Sequence, residues 1–347
     1  MGWGRKLQTL SSPRRIFNHL AKKLEVPAQA TARASTLHSF PTKITIETGN
    51  ICNLRCPLCP TGTSETKVPK GMLTLDRFKQ IIDQLGPTTE TLDFFDWGEP
   101  FLNKDLLPMV TYTKKRFPHV RIVISSNLNI PNFTEARAAE VVKSGLDHLI
   151  MSVDGATQPV YATYRVGGNL EAVLRNMRWL LKARTELGVK HPKLVWNYLV
   201  FRHNEHEVEA ARRLAAEIGV DFTASPMRTD CGEEIFLPLD ERLKRDSLWI
   251  PENPTYSQYS HEALSRRVND CTKPWKTTAI NWDGYVVPCG SVYDCRTYNY
   301  GNIFETSFKE IWNGERYRNA RRAVGQGATG TNTICETCKK NGFPLYT

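Results

Sequence analysis

Between residues 43 and 227, six short runs rich in β-branched and aromatic residues alternate with longer stretches of helical periodicity. That alternation restricts the chain to βα units carrying a parallel sheet, because parallel neighbours need a crossover between them. The runs are Lys43 to Thr48, Thr91 to Trp97, Val120 to Asn127, His148 to Val153, Lys193 to Val200 and Asp221 to Pro226. Leu75, Phe78, Ile81, Ile82 and Leu85 follow Thr74 at helical spacing, and Leu170, Val173, Leu174, Met177 and Leu181 follow Asn169. Glu205 to Ile218 completes the sixth unit. Six units suit a partial barrel, whose sites gather at the carboxyl ends of the strands.

The loop after the first run is Cys52-Asn-Leu-Arg-Cys56-Pro-Leu-Cys59. Three thiolates on one loop can hold three irons of a [4Fe-4S] cluster and leave the fourth without a protein ligand. Cysteines at this spacing also suit tetrahedral zinc, but a strand stands in front and no fourth Cys or His follows at zinc-ribbon distance. The C-x3-C-x2-C loop after a first strand resembles the radical S-adenosylmethionine (radical SAM) superfamily. In that family the amine and carboxylate of SAM bind the open iron. Leu58 departs from the pattern, since many members carry an aromatic residue before the third cysteine; the change alters packing and removes no ligand.

The resemblance extends to later strand ends. Asp96-Trp97-Gly98-Glu99-Pro100 is similar to the family's GGEP-type motif, with Trp97 replacing the first glycine. A turn there offers backbone carbonyls and a carboxylate to the SAM amine. Ser125-Ser126-Asn127 ends the third run, and Ser152-Val-Asp-Gly155 ends the fourth, followed by Arg165. An arginine takes a carboxylate through two charge-assisted bonds, which a lysine cannot reproduce. The resemblance therefore implies Gly98, Glu99, Ser125, Asn127, Ser152 and Arg165 as SAM-binding residues, and Cys52, Cys56 and Cys59 as cluster ligands.

A second cysteine group comprises Cys271, Cys289, Cys295, Cys335 and Cys338. Ile280-Asn-Trp-Asp-Gly284 reads as a hairpin turn returning through Tyr285-Val-Val-Pro to Cys289, and the chain closes on a C-x2-C. This order resembles the SPASM or shortened "twitch" module of radical SAM enzymes. It implies that Cys271, Cys289, Cys335 and Cys338 hold an auxiliary [4Fe-4S] cluster with no open iron. Cys231 and Cys295 are left over. Each is either a small apolar side chain or a thiol that gives a hydrogen atom to a substrate radical, the catalytic role an epimerase would need.

The expected organisation is a basic extension over 1–40, a radical SAM (β/α)6 core over 41–227, a linker and bridging region over 228–270 and the SPASM/twitch domain over 271–347. No run approaches the ~18 apolar residues of a membrane span, and the N-terminus lacks the apolar core of a secretory signal, so a cytoplasmic protein is expected. Nine cysteines fit that compartment as ligands or free thiols. The net charge is +10, and residues 1–40 supply a net six of it through Arg5, Lys6, Arg14, Arg15, Lys22, Lys23 and Arg33 against Glu25. Ser12 and Pro13 mark a helix start, with Ile16, Phe17, Leu20 and Leu24 as its apolar stripe and Pro27 as its end. That stripe either packs on its own domain or belongs to a surface for acidic lipid, phosphorylated substrate or nucleic acid.

In the family, reduced cluster and SAM yield a 5′-deoxyadenosyl radical that abstracts a substrate hydrogen. One auxiliary cluster favours two-electron oxidation of an alcohol to a ketone, as in aminocyclitol dehydrogenases; a thiol donor would instead give epimerisation. Forty residues before the core are too few for a peptide-recognition domain. The expected substrate is a small polyol or sugar, phosphorylated or linked to a nucleotide or lipid, with a flavodoxin- or ferredoxin-type electron donor. Peptide or RNA modification is the alternative, although no aromatic-rich RNA-binding module is visible, so nucleic acid is disfavoured.

Overall fold

The computed structural model describes residues 12–63, 68–229, 237–265 and 270–341 of the 347-residue chain, so Cys231 lies outside the described residues. Six strands fall where the runs predict: β1 Lys43–Ile46, β2 Thr91–Phe94, β3 Arg121–Ser126, β4 His148–Ser152, β5 Lys193–Val200 and β6 Asp221–Pro226. They form a parallel α/β sheet in sequential order, the partial barrel anticipated from the alternation.

The sheet does not stop at the sixth unit. β7 Thr277–Ile280 pairs in parallel with β1, Lys43 opposite Thr277 and Ile46 opposite Ile280, and β8 Val286–Val287 returns antiparallel on its outer side. The strand order is thus β6-β5-β4-β3-β2-β1-β7-β8. The predicted hairpin exists, with Gly284 at φ +94 in its turn, but its first strand extends the barrel sheet.

The crossover helices follow their local signals. In α1, Leu75–Leu85, the Thr74 side chain accepts from the Arg77 amide, and Phe78, Ile81, Ile82 and Leu85 are fully buried against the sheet. Each contributes roughly 1.5–3 kcal/mol by leaving water. In α2, Leu170–Glu186, the Asn169 side chain accepts from the Ala172 amide at 2.8 Å. Burial falls on Leu170, Val173, Met177 and Leu180, while Leu174 and Leu181 pack at the margin.

The helix Pro13–Glu25 starts at its Ser12 cap but docks through its polar face. Asn18 donates to the Phe40 carbonyl at 3.2 Å and accepts from the Phe40 amide at 2.6 Å, and the Glu25 carboxylate accepts from the His38 and Ser39 amides. Ile16, Phe17, Leu20 and Leu24 are exposed by 44%, 58%, 54% and 83%. The helix does pack on its own domain, but through Asn18 and Ala21 and not through that stripe.

The following segment is bound to the C-terminal part of the chain. Arg33 and Asp270 form a two-pronged pair at 2.6 Å, and the indole N–H groups of Trp275 and Trp312 donate to the carbonyls of Ala34 and Ser39. Buried Arg321 donates to the Ser35 carbonyl and lies 4.3 Å above the Trp312 ring. Between 237 and 265 the chain bonds to the segment after β5. Trp249 and Ile250 accept from Arg202 through their carbonyls, and the Trp249 ring packs on Tyr164 and Phe201.

Candidate active site

The cysteine loop is fixed from both sides at the carboxyl end of β1. Asn50 accepts from the Gly71 amide and donates to the Pro69 carbonyl, both at 2.9 Å, and the Arg55 amide donates to the Val166 carbonyl. A short helical turn begins at the third cysteine, with the Cys59 carbonyl accepting from the Gly62 amide at 2.8 Å. A Cβ on Gly62 would stand 2.5 Å from the Cys56 carbonyl oxygen, so only glycine lets this turn close. Gly98 has the same meaning for the second motif. Its Cβ would fall 2.0 Å from the Gly49 carbonyl oxygen, and the next amide, Glu99, donates to the Ile51 carbonyl. The two motifs interlock through backbone.

Glu99 is almost fully buried and saturated by its neighbours. It accepts from the Phe101 amide at 3.1 Å, the Ser126 hydroxyl at 2.8 Å and the Asn127 amide at 2.7 Å. Burial lifts its pKa to about 7 against the pull of those donors and of Arg165. Asn127 directs its side-chain amide at the Cys52 sulfur, 3.7 Å away, and the Ser125 and Ser152 hydroxyls meet at 3.3 Å. Arg165 is held by Asp154, which the sequence reading passed over. Its Nε donates to Asp154 Oδ2 at 2.6 Å, and its Nη1 lies 3.8 Å from the Cys56 sulfur. Burial alone would lower the guanidinium's pKa, but Asp154 and the surrounding groups hold it well above its usual value.

Cys52, Cys56, Cys59, Gly98, Glu99, Ser125, Asn127, Ser152 and Arg165 all line one cavity of about 550 Å³. Cys289 of the second group lines the same cavity, beside Gly290 and Ser291. Its lining also includes the charged residues Asp93, Asp96, Arg228 and Lys273. Burial and the nearby Glu47 push the Asp96 carboxyl well above its usual pKa, while Arg228 and Lys273 pull it back. Around the cysteine loop lies an apolar shell of Leu54, Tyr164, Phe201 and Met227, with Leu58 and Trp249 packed against it. Leu58 thus takes its place in an aromatic wall built by other elements. Neither Tyr164 nor Trp249 carried a motif, and only the folded chain brings them together.

In the second group, Cys271, Cys289 and Cys335 are close enough to act on one another electrostatically, and Cys338 sits one turn beyond Cys335 in the helix Ile334–Lys340. The Tyr300 hydroxyl donates to the Cys335 sulfur at 3.3 Å. Cys295 is buried and outside the cavity lining; its thiol donates to the Val292 carbonyl at 3.3 Å.

Both groups suit iron–sulfur ligation. Burial pushes the Cys56 thiol up to about 12, against the pull of Arg165, and the Cys271 thiol to about 11. N–H and O–H donors aim at Cys52, Cys56 and Cys335, the contacts that tune a cluster. All eight described cysteines are free of disulfides. Among the described residues no three Cys, His, Asp or Glu side chains converge as a single metal ion requires. A cluster takes one thiolate per iron and has no such requirement.

Comparison with known proteins agrees. The sequence profile of the radical SAM superfamily matches residues 46–215, and that of the SPASM iron-sulfur cluster-binding domain matches residues 271–339. The chain belongs to the radical SAM superfamily. As a radical SAM enzyme with a SPASM domain, it uses a [4Fe-4S] cluster, SAM and auxiliary iron-sulfur ligation. It is 26% identical over 300 residues to the tungsten-containing aldehyde ferredoxin oxidoreductase cofactor-modifying protein of Pyrococcus furiosus, covering 78% of this chain and 81% of the relative. It is 22% identical over 317 residues to a PqqA peptide cyclase of Granulibacter bethesdensis, covering 86% and 79%. The crystal structure of BtrN in complex with AdoMet and 2-DOIA shares its fold, with a TM-score of 0.52 and 19% identity over 86% of this chain and 92% of that one.

Proposed function

We propose that this radical SAM enzyme oxidises an alcohol of a small polyol or sugar-like substrate to a ketone. The observation that carries the proposal is the shared cavity: Cys289, a candidate auxiliary-cluster ligand, lines the same space as the three cysteines of the SAM loop. Bound there, the reduced cluster and SAM would supply a radical that takes a hydrogen atom from the substrate carbon; the hydroxyl would then release its proton, and the auxiliary cluster would accept the remaining electron. Cys52, Cys56 and Cys59 would hold the first cluster, and Cys271, Cys289, Cys335 and Cys338 the second. Arg165, fixed by Asp154, would orient the SAM carboxylate. Glu99 is committed to the ends of the loops, so it shapes the SAM berth with Gly98, Asn127, Ser125 and Ser152. The shell of Tyr164, Phe201 and Trp249 keeps water from the radical.

A cavity of about 550 Å³ that must also admit SAM favours a small second ligand. Hydroxyl groups need donors and acceptors together, which Asp93, Asp96, Arg228 and Lys273 provide. The relatives include a cofactor-modifying protein, heme synthases and a peptide cyclase, so chemistry within the cavity has to decide. A flavodoxin- or ferredoxin-type protein would deliver the priming electron.

The test is anaerobic turnover of reconstituted protein with candidate polyols, read by mass spectrometry. Oxidation shows as the loss of two hydrogens. Cys56→Ala should abolish SAM cleavage, whereas Cys335→Ala should retain some cleavage and lose the oxidised product. Unchanged mass in ordinary water, with one deuterium gained in heavy water, would overturn the oxidation in favour of epimerisation through Cys231 or Cys295.

A further inference from the structure

Of the eight large hydrophobic side chains exposed among the described residues, four lie on the single helix Pro13–Glu25. Ile16, Phe17, Leu20 and Leu24 share an arc of about 100° at 3.6 residues per turn. The exposed His19 and Lys23 border one side of that arc and the exposed Arg14 borders the other. The opposite face is committed inward through Asn18, Ala21 and the Lys22 ammonium, which donates to the Thr42 hydroxyl at 3.4 Å. The helix therefore cannot roll its apolar face under without losing the Asn18 and Glu25 bonds to residues 38–40.

We propose that this face seats the enzyme on the surface of an anionic phospholipid membrane. The geometry is that of an in-plane helix: a bulky apolar stripe for the acyl boundary, cations at its margins for lipid phosphates, and a second face fixed to the protein. Charge complementarity selects the occupant. The first 25 residues carry Arg5, Lys6, Arg14, Arg15, Lys22 and Lys23 against Glu25 alone. A second copy of the chain would bring the same cations against themselves. It would also gain only one helix face of ~20 Å, well below the area of a stable dimer. Nucleic acid would use the cations and leave Phe17 and Leu24 in water.

Attachment here leaves the active site accessible. Asn18 and Lys22 grip Phe40 and Thr42, just before β1, while the cysteine loop follows β1, so the helix and the SAM site lie at opposite ends of that strand. No helix among the described residues is long and apolar enough to cross a membrane, so contact would be peripheral.

The experiment is co-sedimentation of the full-length reconstituted enzyme with phosphatidylcholine vesicles, with and without phosphatidylglycerol. We expect binding that requires phosphatidylglycerol, weakens with salt, and falls by roughly tenfold in Leu24→Ser and further in Phe17→Ser, Leu24→Ser. Both variants should keep wild-type SAM cleavage, which shows that they fold. No sedimentation of the wild-type chain would overturn the proposal, as would equal sedimentation of the variants, which would put the contact elsewhere. So would a dimer in solution that Leu24→Ser dissolves without any vesicle binding. Binding to single-stranded RNA that survives Phe17→Ser would assign the charge to nucleic acid and overturn it as well.

Discussion

Asp154→Asn separates the two jobs the fold gives Arg165. Asp154 is fully buried, and the Arg165 side chain is 15% exposed. One carboxylate oxygen accepts from Arg165 Nε at 2.6 Å and the other from the Leu199 amide at 2.7 Å. Asparagine fills the same volume, so no cavity opens. Its amide group, however, has to face one of two donors, and the negative charge is lost. Stranding a buried charge costs about 3–5 kcal/mol. The residual exposure of Arg165 and the Tyr164 ring 5.4 Å away lower the expectation to ~3 kcal/mol. The assay is urea unfolding under anaerobic conditions, with and without SAM. If the SAM carboxylate meets Arg165, SAM returns part of the missing charge, and the loss shrinks to ~2 kcal/mol or less. A loss below ~1 kcal/mol without SAM would refute the buried pair. An identical loss with saturating SAM would refute the contact between Arg165 and the ligand.

Two further substitutions test other parts of the structure. Burial, with a contribution from Asp283, lifts the Glu47 carboxyl to about 7. The folded state thus holds a proton that the unfolded chain releases above its ordinary value of 4.5, and the stability present at low pH is lost as pH rises towards 7. Glu47→Gln keeps an acceptor for the Trp282 amide and should be more stable than wild type by ~3 kcal/mol near pH 8 and equal to it near pH 4; a gap independent of pH would count against the buried carboxyl. Gly98→Ala forces a methyl group onto the Gly49 carbonyl and should cost about 3 kcal/mol while lowering iron uptake at the first cluster. Normal iron content in a stable Gly98→Ala protein would show that the two motifs do not interlock as described.

Local signals were enough for the six βα units, because each strand and helix carries its own period, cap and turn. They failed where the partner is remote. The hairpin from Thr277 was legible as a hairpin, but nothing near residue 277 says that its neighbour is Lys43. The stripe on Pro13–Glu25 was equally legible, and its periodicity could not reveal which face docks. That choice was made by Asn18 meeting Phe40, a contact between two side-by-side segments that share no pattern. At the site, the cysteines and strand-end polar residues stand out by type and position, and the three SAM-loop cysteines share one cavity with Gly98, Glu99, Ser125, Asn127, Ser152 and Arg165. Asp154 and Trp249 do not stand out, since an acid in a turn and an aromatic in a proline-rich stretch are both common. The signal available for Asp154 was its place in Ser152-Val-Asp-Gly155, next to a buried arginine that needs an anion.

The pairing of β1 with β7 also orders the protein's biosynthesis. β1 bonds to β2 on one edge and, on the other, to a strand more than 200 residues later. During translation the first cysteine loop would leave the ribosome on a strand with one edge open, and that edge could not close until the region of the second cysteine group had emerged. Long-range pairing of this kind forms slowly and leaves the earlier segment exposed meanwhile. Completion of the sheet therefore waits for the arrival of the C-terminal region, and a chain arrested before residue 277 would present an unpaired β1 edge beside three cysteines.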